Sequence, residues 1–156
     1  MHTVIPSPVG DLTLVARDGG LAGLYMVEQR HRPDDETFGP RGDDPVFDAV
    51  TTQLGEYFTG ARREFDLPLA LRGTAFQQTV WKALLGIPFG ETMSYGELAA
   101  LIGRPSAARA VGLANGKNPI GIIVPCHRLI GSNGGLVDYG GGIETKRWLL
   151  SHEQID

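Results

Sequence analysis

Two capping boxes set where helices can begin in the second half of this chain. In Thr74-Ala75-Phe76-Gln77 and in Ser94-Tyr95-Gly96-Glu97 a hydroxyl residue precedes a Gln or Glu at capping-box spacing. The hydroxyl accepts from an early helical amide, and the longer side chain returns to the cap amide. Phe76, Val80, Trp81, Leu84 and Leu85 follow the first box on one broad face, which predicts an amphipathic helix. The second box starts a short helix through about Leu101. Gly103-Arg104-Pro105 then breaks the chain, and Pro105 suits the first turn of another helix, from about Ser106 to Ala114. Two short helices joined by a glycine-containing turn form a helix-turn-helix candidate. In that motif the second helix enters a DNA groove. Ala107, Ala108, Ala110, Gly112 and Ala114 keep this helix slim, and Arg109 is its only charge. The plainer reading of the same residues is a tightly packed helix pair with one surface arginine. A last helix is expected from about Gly142 to Glu153.

The first half reads differently. Leu12-Thr13-Leu14-Val15-Ala16 and Leu21-Ala22-Gly23-Leu24-Tyr25-Met26 flank Arg17-Asp18-Gly19-Gly20, a hairpin signal. Residues 30–45 are polar and broken by prolines, so they read as a loop. Phe47, Val50, Leu54, Tyr57 and Phe58 recur at helical spacing, in a helix ending near Gly60. The expected fold is α/β. A small amino-terminal β-sheet lobe with a helix (residues 1–72) precedes a mainly helical domain with the helix-turn-helix (residues 73–156).

Bulk properties narrow the function classes. No stretch approaches the roughly 20 apolar residues of a membrane span, and the start lacks a secretory signal pattern. Net charge is −4, which by itself does not suggest a nucleic-acid binder. The charge is uneven: residues 1–72 carry 7 basic and 12 acidic side chains, and residues 73–156 carry 7 and 6. The second half could therefore face a polyanion while the first faces away. One cysteine excludes an internal disulfide and argues against a structural zinc site, so no metal is expected. It also suits a reducing compartment, and the expected location is cytoplasmic.

That cysteine lies in Val124-Pro125-Cys126-His127-Arg128-Leu129-Ile130. The apolar run Ile120-Gly121-Ile122-Ile123-Val124 reads as a strand leading into it. A lone cysteine is most often a small core residue. A neighbouring imidazole or cation instead favours the nucleophilic thiolate. A base needs an orienting acid, and Asp138 and Glu153 are both candidates on spacing. The glycines from Gly131 to Gly142 suit a tight loop around a planar ligand, with Tyr139 as one wall.

Several segments together resemble the O6-alkylguanine-DNA alkyltransferases. They are Thr92-Met93-Ser94-Tyr95-Gly96-Glu97-Leu98-Ala99, Ala107-Ala108-Arg109-Ala110-Val111-Gly112, Asn115-Gly116-Lys117-Asn118-Pro119 and the Pro-Cys-His-Arg run. Tyr139-Gly140-Gly141-Gly142 and Lys146-Arg147-Trp148-Leu149-Leu150-Ser151-His152-Glu153 belong to the same likeness. It covers about 74–154 specifically. It extends loosely into the first half through Ser7-Pro8-Val9-Gly10 and Gly20-Leu21-Ala22-Gly23-Leu24.

The resemblance implies irreversible, single-turnover repair of O6-alkylguanine in duplex DNA, and leaves O4-alkylthymine open as a second substrate. The partner is alkylated double-stranded DNA, approached from the minor groove, with the damaged base rotated out of the stack. It implies Cys126 as alkyl acceptor, His127 as base, Glu153 as its orienting acid, and Tyr95 as proton donor to guanine N3. Asn118 would fix the active-site turn. Arg109 would fill the gap left by the flipped base, with Ala108, Gly112, Asn115, Ser94 and Arg128 also on the DNA side. Tyr139, the Gly140 amide, Leu129 and Gly121 would form the base pocket. No cofactor and no membrane partner are expected, and the protein should be a monomer without DNA. One departure from the family pattern is Val137-Asp138 before Tyr139, where a carboxylate could repel phosphates or face the pocket.

Overall fold

The computed structural model describes residues 1–131, 139 and 141–154. Three antiparallel strands, β1 (His2–Ile5), β2 (Leu12–Arg17) and β3 (Gly20–Met26), form a sheet in that order. The β2–β3 turn places Asp18 and Gly19 at φ 54° and 78°. A tight hairpin needs such left-handed residues to match the twist of its strands. β1 is an edge strand outside the sequence expectation. Its β-branched Thr3, Val4 and Ile5 pair with Leu14, Thr13 and Leu12.

Helix α1 (Pro45–Phe58) starts where the Asp44 side chain accepts from the Val46 amide at 3.0 Å. It buries Val46, Phe47, Val50, Leu54 and Tyr57. Both capping boxes form as expected. Thr74 and Gln77 cap α2 (Ala75–Leu84), and Ser94 and Glu97 cap α3 (Tyr95–Leu101). Helix α4 (Ala108–Gly116) completes the helix-turn-helix, and Ile143–Glu153 forms the last helix, α5. The Trp81 indole donates to the Ala114 carbonyl at 2.9 Å in the interior, which ties α2 to the end of α4.

The outer edge of β3 joins the two halves. Leu21 exchanges backbone hydrogen bonds with Pro68 and Ala70 at 2.8 Å each, and Leu24 exchanges them with Pro119 and Gly121 at 2.8 and 3.2 Å. One continuous apolar core then runs from Leu12 through Leu54, Trp81 and Ile120 to Leu149. The segment before the cysteine is thus anchored on the amino-terminal sheet.

The run 120–124 is not the strand its apolar pattern suggests. Only Ile120 makes a bridge, to Leu24. The chain then turns on itself, with Val124 donating to Ile120 at 3.0 Å and Ile122 at φ 69°. The Asn118 side chain imposes the turn: its Oδ1 accepts from the Ile120 amide at 3.0 Å and its Nδ2 donates to the Val124 carbonyl at 2.8 Å.

Candidate active site

The Asn118-braced turn delivers Cys126 to the start of a single 3-10 turn, Cys126–Arg128. Strand β5 (Leu129–Ile130) follows and pairs in parallel with β4 (Met93–Ser94), Met93 facing Leu129 and Ser94 facing Ile130. This register starts α3, with Tyr95 as its first residue, beside the strand that leaves the cysteine turn. Asn115, near the end of α4, donates to the Cys126 carbonyl at 3.3 Å. The backbone of the cysteine turn is thereby tied to α4, the second helix of the helix-turn-helix.

Behind the cysteine, one carboxylate gathers three side chains. Glu153 accepts from His127 Nε2 at 2.7 Å and from the Tyr57 hydroxyl at 2.6 Å. Arg128 donates to both of its oxygens, at 2.8 and 3.0 Å. All four residues are buried. Burial alone would raise the Glu153 pKa, but the hydrogen bonds from His127, Arg128 and Tyr57 hold it well below the usual carboxylate range. Of the two candidate acids, Glu153 meets the imidazole. Asp138, Gly140 and Val137 lie outside the described residues.

Burial pushes the His127 pKa down, against the pull of Glu153, and the charges of Arg128 and Lys146 add to the depression. The ring is neutral near pH 7. With Nε2 committed to Glu153, its other nitrogen, Nδ1, is buried without a protein partner among the described residues. A neutral imidazole bonded through one N–H has its free lone pair on the other nitrogen. That lone pair can take a proton.

The thiol departs from the sequence expectation. Burial pushes the Cys126 pKa up, outweighing the Asn118 hydrogen bond, the Lys146 charge and the Tyr139 hydroxyl. Cys126 therefore rests as a thiol, and a neighbouring imidazole does not hold it as thiolate. Lys146, fully buried, donates to the Leu129 carbonyl at 2.6 Å.

A small recess of about 60 Å³ opens beside this centre, lined by Tyr95, Gly112, Leu113, Asn115, Gly116 and Tyr139. Arg30 and His31, from the loop after β3, close its other side. A Cβ on Gly121 would sit 3.8 Å from the Tyr139 hydroxyl, so Gly121 belongs to the same wall. A Cβ on Gly141 would fall 2.0 Å from the Met26 sulfur and 2.8 Å from the Tyr139 ring, so any larger residue would displace one of these side chains. A larger recess of about 480 Å³ lies between Arg63, Phe89, Pro125 and Arg128. It includes neither Tyr95 nor Tyr139, so size does not identify the site; the chemistry does.

On the outer face of α4, Arg109, Ala110 and Leu113 are exposed, while Ala108 and Gly112 are half-buried, as is Ser94. This face is slim and weakly charged, and Arg109 stands at its start. Two residues expected to face DNA are instead internal. Arg128 is buried, with its remaining nitrogen donating to the Ile87 carbonyl at 2.6 Å. Its guanidinium is committed to the fold because Glu153 and Ile87 already supply matched acceptors. Asn115 is buried against the cysteine turn. Leu129 is wholly buried, and its contribution is the carbonyl that holds Lys146.

Sequence reasoning missed Tyr57, Arg30 and His31. Tyr57 read as one more apolar residue of α1. Arg30 and His31 sit in a polar loop that nothing local distinguishes.

Comparison with known proteins places this geometry. Residues 75–155 match the family described as 6-O-methylguanine DNA methyltransferase, DNA binding domain, and residues 1–71 match its ribonuclease-like domain. The chain is 56% identical to the methylated-DNA–protein-cysteine methyltransferase of Mycobacterium tuberculosis, over 98% of this chain and 92% of that protein. It is 45% identical to the protein of that name from Methanosarcina barkeri, over 98% and 96%. The structure is also similar to the Mycobacterium tuberculosis protein crystallised with DNA, with a TM-score of 0.89, 56% identity and the same coverage, 98% and 92%.

Proposed function

The chain belongs to the 6-O-methylguanine DNA methyltransferase family, and we propose that it repairs O6-alkylguanine in duplex DNA by moving the alkyl group onto Cys126. The observation that carries this reading is the lone thiol beside a neutral, buried imidazole whose Nδ1 is open and whose Nε2 is held by Glu153.

The reading assigns each part a step. The slim exposed face of α4 lies against DNA. Arg109, at its start, occupies the gap when the damaged nucleotide rotates out, a rearrangement costing a few kcal/mol. The base enters beside Tyr139, with the Gly140 amide as donor to O6. The Cys126 thiol gives its proton toward His127 Nδ1, and Glu153 steadies the imidazolium that forms. Sulfur then attacks the alkyl carbon. An S–C bond forms as the C–O6 bond breaks, and that electron pair passes to guanine. Tyr95 supplies a proton to N3, which lowers the barrier to releasing an anion. In net terms the thiol loses one proton and guanine gains one. The thioether has no easy return, so each molecule acts once.

The proposal also divides the chain at residues 72 and 73; the two family matches, ending at 71 and starting at 75, support that division. No helix among the described residues is long and apolar enough to cross a membrane. A cytoplasmic site of action fits a protein whose work depends on a free thiol.

The test is intact-protein mass after incubation with a duplex containing one O6-methylguanine. One methyl group should appear per protein, on Cys126, and Cys126→Ser should bind the duplex without accepting it. Repeated turnover, or methylation at another residue, would refute the assignment.

A further inference from the structure

We propose that Tyr57 is a positioning residue of the site, reaching in from the amino-terminal lobe to set the base strength of His127 through Glu153. This inference rests on the alkyl-transfer reading above. The Tyr57 hydroxyl donates to Glu153 Oε2 at 2.6 Å, and the imidazole meets that same oxygen at 2.7 Å. Arg128 Nη2 meets it too, at 3.0 Å. An oxygen shared by three donors offers each less. Hydrogen bonds to a carboxylate stabilise its charge and so weaken its claim on the imidazolium.

The other groups bearing on the ring are fixed by their own elements. Arg128 lies on the cysteine turn, Lys146 and Glu153 come from α5, and the Cys126 thiol precedes the ring. Arg128 and Lys146 oppose protonation of His127 and Glu153 favours it. Tyr57 is the contribution of α1.

The Tyr57 ring is held firmly enough for this role. It is wholly buried against Phe58, Phe65, Phe89 and His152, with centroids 5.2, 5.5, 6.1 and 5.0 Å away. His152 Nε2 also bonds the Tyr57 carbonyl at 2.7 Å. A phenylalanine would fill such an aromatic nest equally well. A hydroxyl here costs desolvation unless it is bonded, and its bond goes to the acid that orients the base. Burial and the Glu153 charge push the phenol pKa far up, so Tyr57 stays a donor at every working pH.

The test compares the full-length protein with Tyr57→Phe and with 3-fluorotyrosine at position 57, a stronger donor of nearly the same shape. Two quantities are read against pH: the His127 imidazole titration by nitrogen NMR, and single-turnover methyl transfer from an O6-methylguanine duplex to Cys126. Tyr57→Phe should move the imidazole titration and the acid limb of the rate upward by about half a pH unit, and slow transfer about threefold on the acid side. The fluorinated protein should move both downward. Unchanged titrations in both variants, or a loss uniform in pH, would mean that Tyr57 only packs. A wild-type protein that transfers no methyl would refute the repair reading instead, and the imidazole titration would still decide the role of Tyr57.

Discussion

Glutamine at position 153 keeps the shape of Glu153 and removes its charge, which makes Glu153→Gln the sharpest probe of the buried cluster. The carboxylate receives Arg128 at 2.8 and 3.0 Å, His127 at 2.7 Å and Tyr57 at 2.6 Å. The amide leaves a buried guanidinium without its counter-charge and turns an N–H₂ toward one of these donors. Breaking a buried pair from one side costs about 3–5 kcal/mol. At about 2–4 °C per kcal/mol for a chain of this size, the melting temperature should fall by on the order of 10 °C. The companion is Arg128→Met with Glu153→Gln. Removing the cation as well lets the Gln carbonyl serve His127 and Tyr57. The double variant should therefore be more stable than Glu153→Gln alone by about 1–2 kcal/mol, because an unpaired buried charge costs more than an absent pair. Urea unfolding of the wild type, Glu153→Gln, Arg128→Met and the double variant measures this cycle. A Glu153→Gln loss below about 1 kcal/mol, or strict additivity in the double variant, would refute the view that the cluster is a desolvated, mutually dependent unit.

Stability should also be bounded in pH. Glu153 and His127 titrate below their ordinary values of 4.5 and 6.5 in the folded chain. Their contribution is complete above about 6.5 and is lost as the pH falls, because the unfolded chain binds more protons there. Cys126 titrates above its ordinary 9.0, so its contribution is complete below that value and is lost as the pH rises. Urea midpoints should form a plateau between these limits; a midpoint rising steadily toward pH 5 would contradict the assignment. Arg109→Ala should slow repair in duplex DNA at least tenfold while barely changing reaction with the free O6-alkylguanine base, which needs no flipping. Equal losses on both substrates would place Arg109 in the fold or pocket. Finally, iodoacetamide at neutral pH should label native Cys126 at least tenfold more slowly than the unfolded chain, since a buried thiol is inert. Labelling at the unfolded rate would show that the thiol is open or ionised.

Local chemistry made much of this architecture legible. The β2–β3 hairpin follows from Asp18 and Gly19, and α2 and α3 start where hydroxyl and Gln or Glu pairs close their caps. Each signal is spent within a few residues. The segment 120–124 misleads for the complementary reason. Its apolar pattern is that of a buried strand, but a buried turn needs the same residues, and the deciding group is the Asn118 side chain. Tyr57 and Glu153 meet across 96 positions, and nothing near Tyr57 announces a polar partner. Arg128 shows the same limit with the opposite sign. The resemblance puts Arg128 on the DNA side, and only tertiary packing reveals that its guanidinium is already committed to Glu153 and Ile87.

The adjacency of Cys126 and His127 also carries a lesson about mechanism. In sequence it suggests a thiolate stabilised by its neighbour. In the fold, burial acts on both groups and favours their neutral forms, thiol and imidazole. Activation then belongs to the reaction rather than to the resting state. In the proposed mechanism the proton leaves sulfur toward the His127 lone pair, and the bond from Nε2 to Glu153 keeps that lone pair on Nδ1. A protein consumed by a single alkylation gains from such an arrangement. A standing thiolate would react with any small electrophile. On the proposed mechanism, a buried thiol whose proton moves as the alkyl carbon arrives reserves its one reaction for the damaged base.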